Sequence, residues 1–77
     1  MEARRYPVAV PRITAERRAQ RREQIVDAAI RSVMRSGFQG MTMAQVIEES
    51  GLSAGAVYGY FASKDDLLVA VADARLG

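Results

Sequence analysis

The sequence predicts an all-α fold, a small bundle of four helices, and three observations predict it. Apolar residues recur at spacings of three and four along most of the chain, the period of one helix face, and no segment alternates with the two-residue period of a strand. A hydroxyl residue stands just ahead of each such run, at Thr14, Thr42, Ser53 and Ser63, where its oxygen can serve backbone amides that have no partner inside the helix. Two runs end at a glycine, Gly37 and Gly51, the residue that closes helices at least steric cost. A length of 77 residues allows one domain. A domain of that size buries only about 60 to 65% of the surface its unfolded chain exposes, so a larger parent or a partner is expected.

The elements follow in order. Pro7 and Pro11 bracket a short apolar stretch and neither can donate a backbone hydrogen bond, so residues 1–13 read as an extended basic arm. Thr14 then caps a helix over about 14–36, in which Ile25, Ala29, Ile30, Val33 and Met34 share one side, and Gly37 stops it. Its first two turns carry Arg17, Arg18, Arg21 and Arg22, which oppose the positive end of the helix dipole unless a polyanion is bound there. Thr42 and Gln45 form a capping box for a second helix over about 43–49, which turns Met43, Val46 and Ile47 inward and ends at Gly51. Ser53 caps a third helix over about 54–60, with Leu52 just before the cap and Val57 and Phe61 four apart on its buried side. Ser63 and Asp66 form a second capping box, opening a helix over about 64–76 whose Leu67, Leu68, Val71 and Ala72 continue the apolar stripe. That helix lacks a clear stop before Gly77 and reads as truncated, with residues 14–77 as one helical unit.

Composition removes whole classes of chemistry. The chain contains no Cys and no His, so thiolate nucleophiles, imidazole acid-base pairs, disulfides and the usual zinc sites are excluded. Its dense carboxylates are Glu48, Glu49, Asp65 and Asp66. Sequence neighbours on a helix point in different directions, and the two aspartates suit a helix's first turn, so no catalytic residue, metal ligand or cofactor is expected. Apolar runs such as Leu67 to Ala72 are far short of the roughly 20 residues a membrane span needs, and no apolar run follows the basic start as in a signal peptide. The chain therefore reads as a cytoplasmic domain without a membrane partner.

Charge is distributed unevenly. Residues 1–40 hold nine Arg against four acids, a net of +5, whereas residues 41–77 hold Lys64 and Arg75 against five acids, a net of −3. Arg4, Arg5, Arg12, Arg17, Arg18, Arg21 and Arg22 make the first stretch suited to a polyanion, since each phosphate contact releases condensed counterions. A solvated leader that keeps a small domain in solution would carry the same charge. So would a helical module that binds an acidic protein.

The second and third helices are short and joined by a Gly-containing turn, the outline of a helix-turn-helix whose second helix enters the DNA major groove. Ala54, Gly55, Ala56 and Gly59 would let the third helix approach base edges, and its first amides beyond Ser53 could meet a phosphate. Close packing against another helix would select the same small residues. Tyr58 and Tyr60, two apart, cannot share a face, so at least one is exposed and free to donate its hydroxyl to a phosphate. Lys64 in the first turn of the fourth helix could pair with a phosphate or simply be solvated. The Thr42 hydroxyl could reach a phosphate or serve only its own cap.

Taken together, the stretch GFQGMTMAQVIEESGLSAGAVYGYFASKDDLL resembles the N-terminal DNA-binding domain of the TetR family of bacterial transcriptional regulators, a homeodomain-like fold. The resemblance covers about residues 22–70 and rests on motifs in the right order. Ile25 and Ala29 lead to Gly37 and Phe38; Thr42 opens the second helix; Gly51, Leu52, Ser53, Gly55, Val57, Tyr58, Tyr60 and Phe61 match the turn and recognition helix; Lys64 and Leu67 complete the run. It implies operator contacts at Thr42, Ser53, Ala54, Gly55, Tyr58, Tyr60 and Lys64. Met41 stands where the family often has Thr, Ile47 and Ser50 where it usually has Ala, and Gly59 where a larger contacting side chain is common. The resemblance further implies a homodimeric repressor of double-stranded operator DNA. In such a regulator a C-terminal domain, absent from these residues, dimerises and binds a small-molecule effector that releases the DNA.

Overall fold

The computed structural model describes the backbone of residues 2–76 and the side chains of residues 14–76. Four helices follow one another: α1 (Glu2–Gly40), α2 (Met43–Ser50), α3 (Ala54–Tyr60) and α4 (Lys64–Leu76). There is no strand among the described residues. α1 packs against α2 and α4, and α2 meets α3 across the turn.

Two joints depend on glycine. Gly37 interrupts α1 with φ 77° and ψ 169°, a conformation essentially closed to residues with a Cβ. The chain rejoins a last turn through the Met41 amide, which donates to the Gly37 carbonyl at 3.1 Å. Gly51, at φ 75° and ψ 9°, is the left-handed cap of α2.

Ile25, Val26, Ala28 and Ala29 of α1 meet Val46 of α2, Val57 of α3, and Leu67, Ala70 and Val71 of α4, with Met41 and Phe61 filling between them. Two buried serines are satisfied rather than orphaned. Ser32 Oγ donates to Gln45 Oε1 at 2.8 Å. Ser50 Oγ donates to the Ile47 carbonyl at 2.9 Å and accepts from the Leu52 amide at 3.1 Å, while Gln24 Nε2 donates to the Ser50 carbonyl at 2.8 Å.

The structure corrects four expectations. α1 begins at Glu2 rather than Thr14, so residues 2–13 are helical, not extended. Pro7 and Pro11 each leave one amide out of the ladder, and four residues apart the two gaps fall on one side of a helix that continues through both. Arg17, Arg18, Arg21 and Arg22 consequently lie in the helix interior, beyond the first turn where the dipole penalises cations. Met34 is 70% exposed rather than core. The buried stripe of α1 runs through Ile25, Ala29 and Ser32, and Met34, two residues past Ser32, is turned away from it. Finally, Gln45 completes only half a capping box. Its amide donates to Thr42 Oγ1 at 3.1 Å, but its side-chain oxygen is taken by Ser32, a buried donor that gains more from the bond than an exposed helix end would.

Candidate nucleic-acid interface

The third helix owes its position to its own cap and to two apolar anchors. Ser53, in extended backbone, accepts the Ala56 amide on its hydroxyl at 3.1 Å, and its carbonyl takes the Val57 amide at 3.1 Å. The first two amides of α3 precede the internal ladder. Val57 and Phe61 are buried, which fixes the helix's inner side. The outer side then consists of Ala54, Gly55, Tyr58 and Gly59, all exposed, with Ala56 and Tyr60 half-buried at its edges. A Cβ built at Gly55 or Gly59 meets no atom within 4 Å. Neither glycine is therefore a helix-packing contact, and the close-packing explanation of these small residues is removed.

Thr42 and Ser53 are both exposed N-caps. A hydroxyl that accepts one amide retains a proton to donate, so capping and contact with a phosphate are compatible uses of the same side chain. Tyr58 is 48% exposed, with nothing in the fold requiring its hydroxyl to be buried. Lys64 is half-buried, and its Nζ donates to the Gln39 carbonyl at 3.1 Å, tying the start of α4 to the last turn of α1. An ammonium has three donors, so this tether leaves others facing outward.

Of the arginines, Arg17, Arg18, Arg21 and Arg22 are exposed on α1, whereas Arg4, Arg5 and Arg12 lie outside the residues whose side chains are described. The Arg18 guanidinium carbon lies 5.3 Å from the Tyr60 ring centroid, and that of Arg22 lies 5.3 Å from the Phe61 centroid. Such cation–π contacts join the arginine-bearing stretch of α1 to the end of α3. Sequence reasoning missed them. The signal was partial: Arg18 and Arg22 stand seven and three residues before Ile25 on the face that becomes core, but no local pattern names the ring each one meets.

A separate cluster braces α2. Glu49 accepts from Arg35 Nη2 at 2.9 Å and lies 3.5 Å from Arg31 Nε. The hydrogen bond and charge of Arg35, with a smaller share from Arg31, hold the Glu49 carboxyl below the ordinary glutamate value of 4.5. Among the described residues no group of three or more acids gathers as a metal site would require, and no helix is long and apolar enough to cross a membrane.

Capped short helices, a glycine turn and an open small-residue face form one unit, and residues 25–71 match the family of bacterial regulatory proteins called the tetR family. The chain belongs to the tetR family. It is 42% identical over 57 residues to YfiR of Bacillus subtilis (strain 168), an uncharacterised HTH-type transcriptional regulator, an alignment covering 74% of this chain and 28% of that protein. It is 44% identical over 50 residues to the HTH-type transcriptional regulator BetI of Burkholderia thailandensis, covering 65% of this chain and 26% of BetI. Its fold is similar to the crystal structure of HlyIIR, a hemolysin II transcriptional regulator, with a TM-score of 0.67 at 25% identity over 73% of this chain and 31% of that one. The chain thus spans about a quarter of the length of the curated relatives it matches. What it carries is the helix-turn-helix domain of this regulator family, with α2 as the supporting helix and α3 as the one displayed.

Proposed function

We propose that this domain reads double-stranded operator DNA by seating α3 in the major groove. The observation that carries the reading is the open space over Gly55 and Gly59, on a helix whose opposite side is anchored by Val57 and Phe61. A helix whose exposed side lacks bulk is one whose backbone can approach base edges. Ala54, Gly55 and Ala56 form the base-facing side. Thr42, Ser53, Tyr58 and Lys64 hold phosphates around it, with Tyr60 and the arginines of α1 extending the surface along the backbone. Arg4, Arg5 and Arg12, on the N-terminal stretch of α1, add affinity more than specificity by meeting phosphates.

The reading extends to the whole regulator by way of the family. The domain works in the cytoplasm as one of two reading heads in a homodimer, each taking one half-site, with half-sites about one helical turn or a multiple apart. A small-molecule effector bound in a C-terminal domain outside these residues releases a repressor from its operator. No step requires catalysis by this domain.

The test is selection of bound sequences from a random duplex pool by the full-length regulator, followed by binding measurements across salt. The expected result is a two-fold symmetric consensus and affinity that falls log-linearly with salt, with preference for the consensus surviving a random competitor. A pool that yields no consensus, together with tight binding to an acidic protein, would assign the basic surface to protein contact instead.

A further inference from the structure

Arg17 and Arg18 stand three and four residues after Thr14 and four and three before Arg21, so the four share one broad face of α1. The same face continues into Ile25 and Ala29, which are buried. The core stripe of α1 is thus prolonged past the edge of the bundle by arginines, and what they meet there is the end of α3. Arg18 lies over the half-buried ring of Tyr60, and Arg22 lies over the buried ring of Phe61. An open groove remains between the helices, lined by Thr14, Arg17, Arg18, Arg21 and Tyr60, none of them acidic.

A guanidinium held over a ring by cation–π attraction still has N–H donors that the ring does not use, and a tetrahedral oxyanion can take two of them at once. The contact also removes rotamer freedom that an unheld arginine would lose only on binding. We infer that this groove is a second phosphate seat on the duplex, in which the Tyr60 ring holds Arg18 so that Arg17, Arg18 and Arg21 grip a backbone phosphate in fixed register with α3. Tyr60 is then a positioning residue that acts through its ring face rather than its hydroxyl, unlike Tyr58. Because ring and guanidinium come from different helices, the seat also locks α1 to the helix that reads the groove. This rests on the DNA reading above.

Fluorescence anisotropy with the selected duplex and a random duplex, each across a range of salt, tests it in the full chain. Tyr60→Phe keeps the ring, so affinity and salt slope stay within about twofold of the unmutated protein. Tyr60→Leu and Arg18→Ala each weaken both duplexes several-fold and lower the salt slope by about one unit, the signature of one lost phosphate contact. The double variant is no weaker than the weaker single, because the two residues act as one unit. Arg18 is exposed, so Arg18→Ala reports even if Tyr60→Leu disturbs folding, which circular dichroism would reveal. Independently of DNA, the Arg18 side-chain protons should show an upfield ring-current shift by NMR in the unmutated and Tyr60→Phe proteins and lose it in Tyr60→Leu. A folded Arg18→Ala protein with an unchanged slope overturns the seat while leaving the DNA reading intact. So does Tyr60→Phe being as harmful as Tyr60→Leu, since the hydroxyl would then be the contact. Failure of the unmutated protein to bind any duplex overturns the DNA reading and the seat together.

Discussion

α2 and α3 are nearly the same length, eight residues and seven, and each opens on a hydroxyl cap, yet the rest of the molecule treats them differently. α2 is gripped along its length by side chains of α1: Ser32 on Gln45 near its start, Arg31 and Arg35 on Glu49, and Gln24 on the Ser50 carbonyl at its end. α3 is held by its own cap, by the apolar anchors Val57 and Phe61, and by an arginine over each of its last two aromatic positions. Its outer side is left open. One helix is braced so that the other can be presented. Substitutions on α2 and its braces should therefore act on stability, and substitutions on the open side of α3 should act on binding.

The largest separation is expected at Gly55. Gly55→Leu places a side chain where the fold offers only open space and replaces a poor helix former, so stability should hold or rise by roughly 0.5–1 kcal/mol. Operator binding should be lost, because the added bulk holds α3 out of the groove. Thermal unfolding by circular dichroism, paired with duplex binding, checks both halves. A stable Gly55→Leu domain that keeps affinity and sequence preference would end the assignment of α3 as the reading helix and shift recognition to the arginines of α1.

Ser32→Ala should do the reverse. It leaves Gln45 Oε1 without its donor in a partly buried position, at a cost of about 1–3 kcal/mol in stability. The protein that remains folded should bind DNA with near-normal affinity once its folded fraction is counted. Denaturant unfolding and binding measured on the same preparation would reveal the contrast, and a large binding defect in fully folded protein would mean that α2 does more than brace.

How much of this division was legible in the sequence depends on the kind of interaction. Caps and glycine stops are local, so Thr42, Gly51 and Ser53 could be assigned from neighbours a few residues away. The open side of α3 was half legible, since small residues at positions 54–56 and 59 suit either a groove or a packed helix, and only the placement of the other helices separates the two. The braces were not legible. Ser32 with Gln45, Arg35 with Glu49 and Arg18 with Tyr60 are 13, 14 and 42 residues apart, and no local pattern pairs them. Gln45 illustrates the failure: its spacing from Thr42 fits a capping box, but a buried serine from another helix competes for the same oxygen and wins. The start of α1 differs for another reason: two prolines argue locally against a helix, yet α1 runs through both.

Lys64 lies between the two classes, because it is at once a brace on the Gln39 carbonyl and a candidate phosphate ligand. Lys64→Ala should weaken specific and random duplexes by similar factors and lower the salt slope by about one unit. A change in stability without a change in slope would place Lys64 wholly among the braces. The phosphate contacts would then lie on α3 and its cap, on the Thr42 cap and on the arginines of α1, with α4 wholly a support.

The smallest effect is expected at Glu49, and it tests whether the α1–α2 brace depends on charge. Its carboxyl is held below the ordinary value chiefly by Arg35, so in the folded protein it stays ionised at a pH where the unfolded chain is already taking up a proton. A depressed carboxylate of this kind contributes stability that is complete above 4.5 and fades as pH falls through the lower, folded value. The pair is exposed to solvent, and screening keeps the contribution small. Melting temperatures should therefore decline slightly more steeply with acid for the unmutated domain than for Glu49→Gln, the two curves converging at low pH and parting toward neutrality. Raising salt at neutral pH should narrow the gap in the same direction, since it weakens the pair without protonating it. DNA binding at neutral pH should be unchanged by Glu49→Gln, because the carboxylate serves the bracing helix and not the open side of α3. Curves that remain parallel from neutrality into acid would mean that Arg31 and Arg35 hold α2 by packing alone, leaving the hydrogen bonds of Ser32 and Gln24 as the polar links between the two helices.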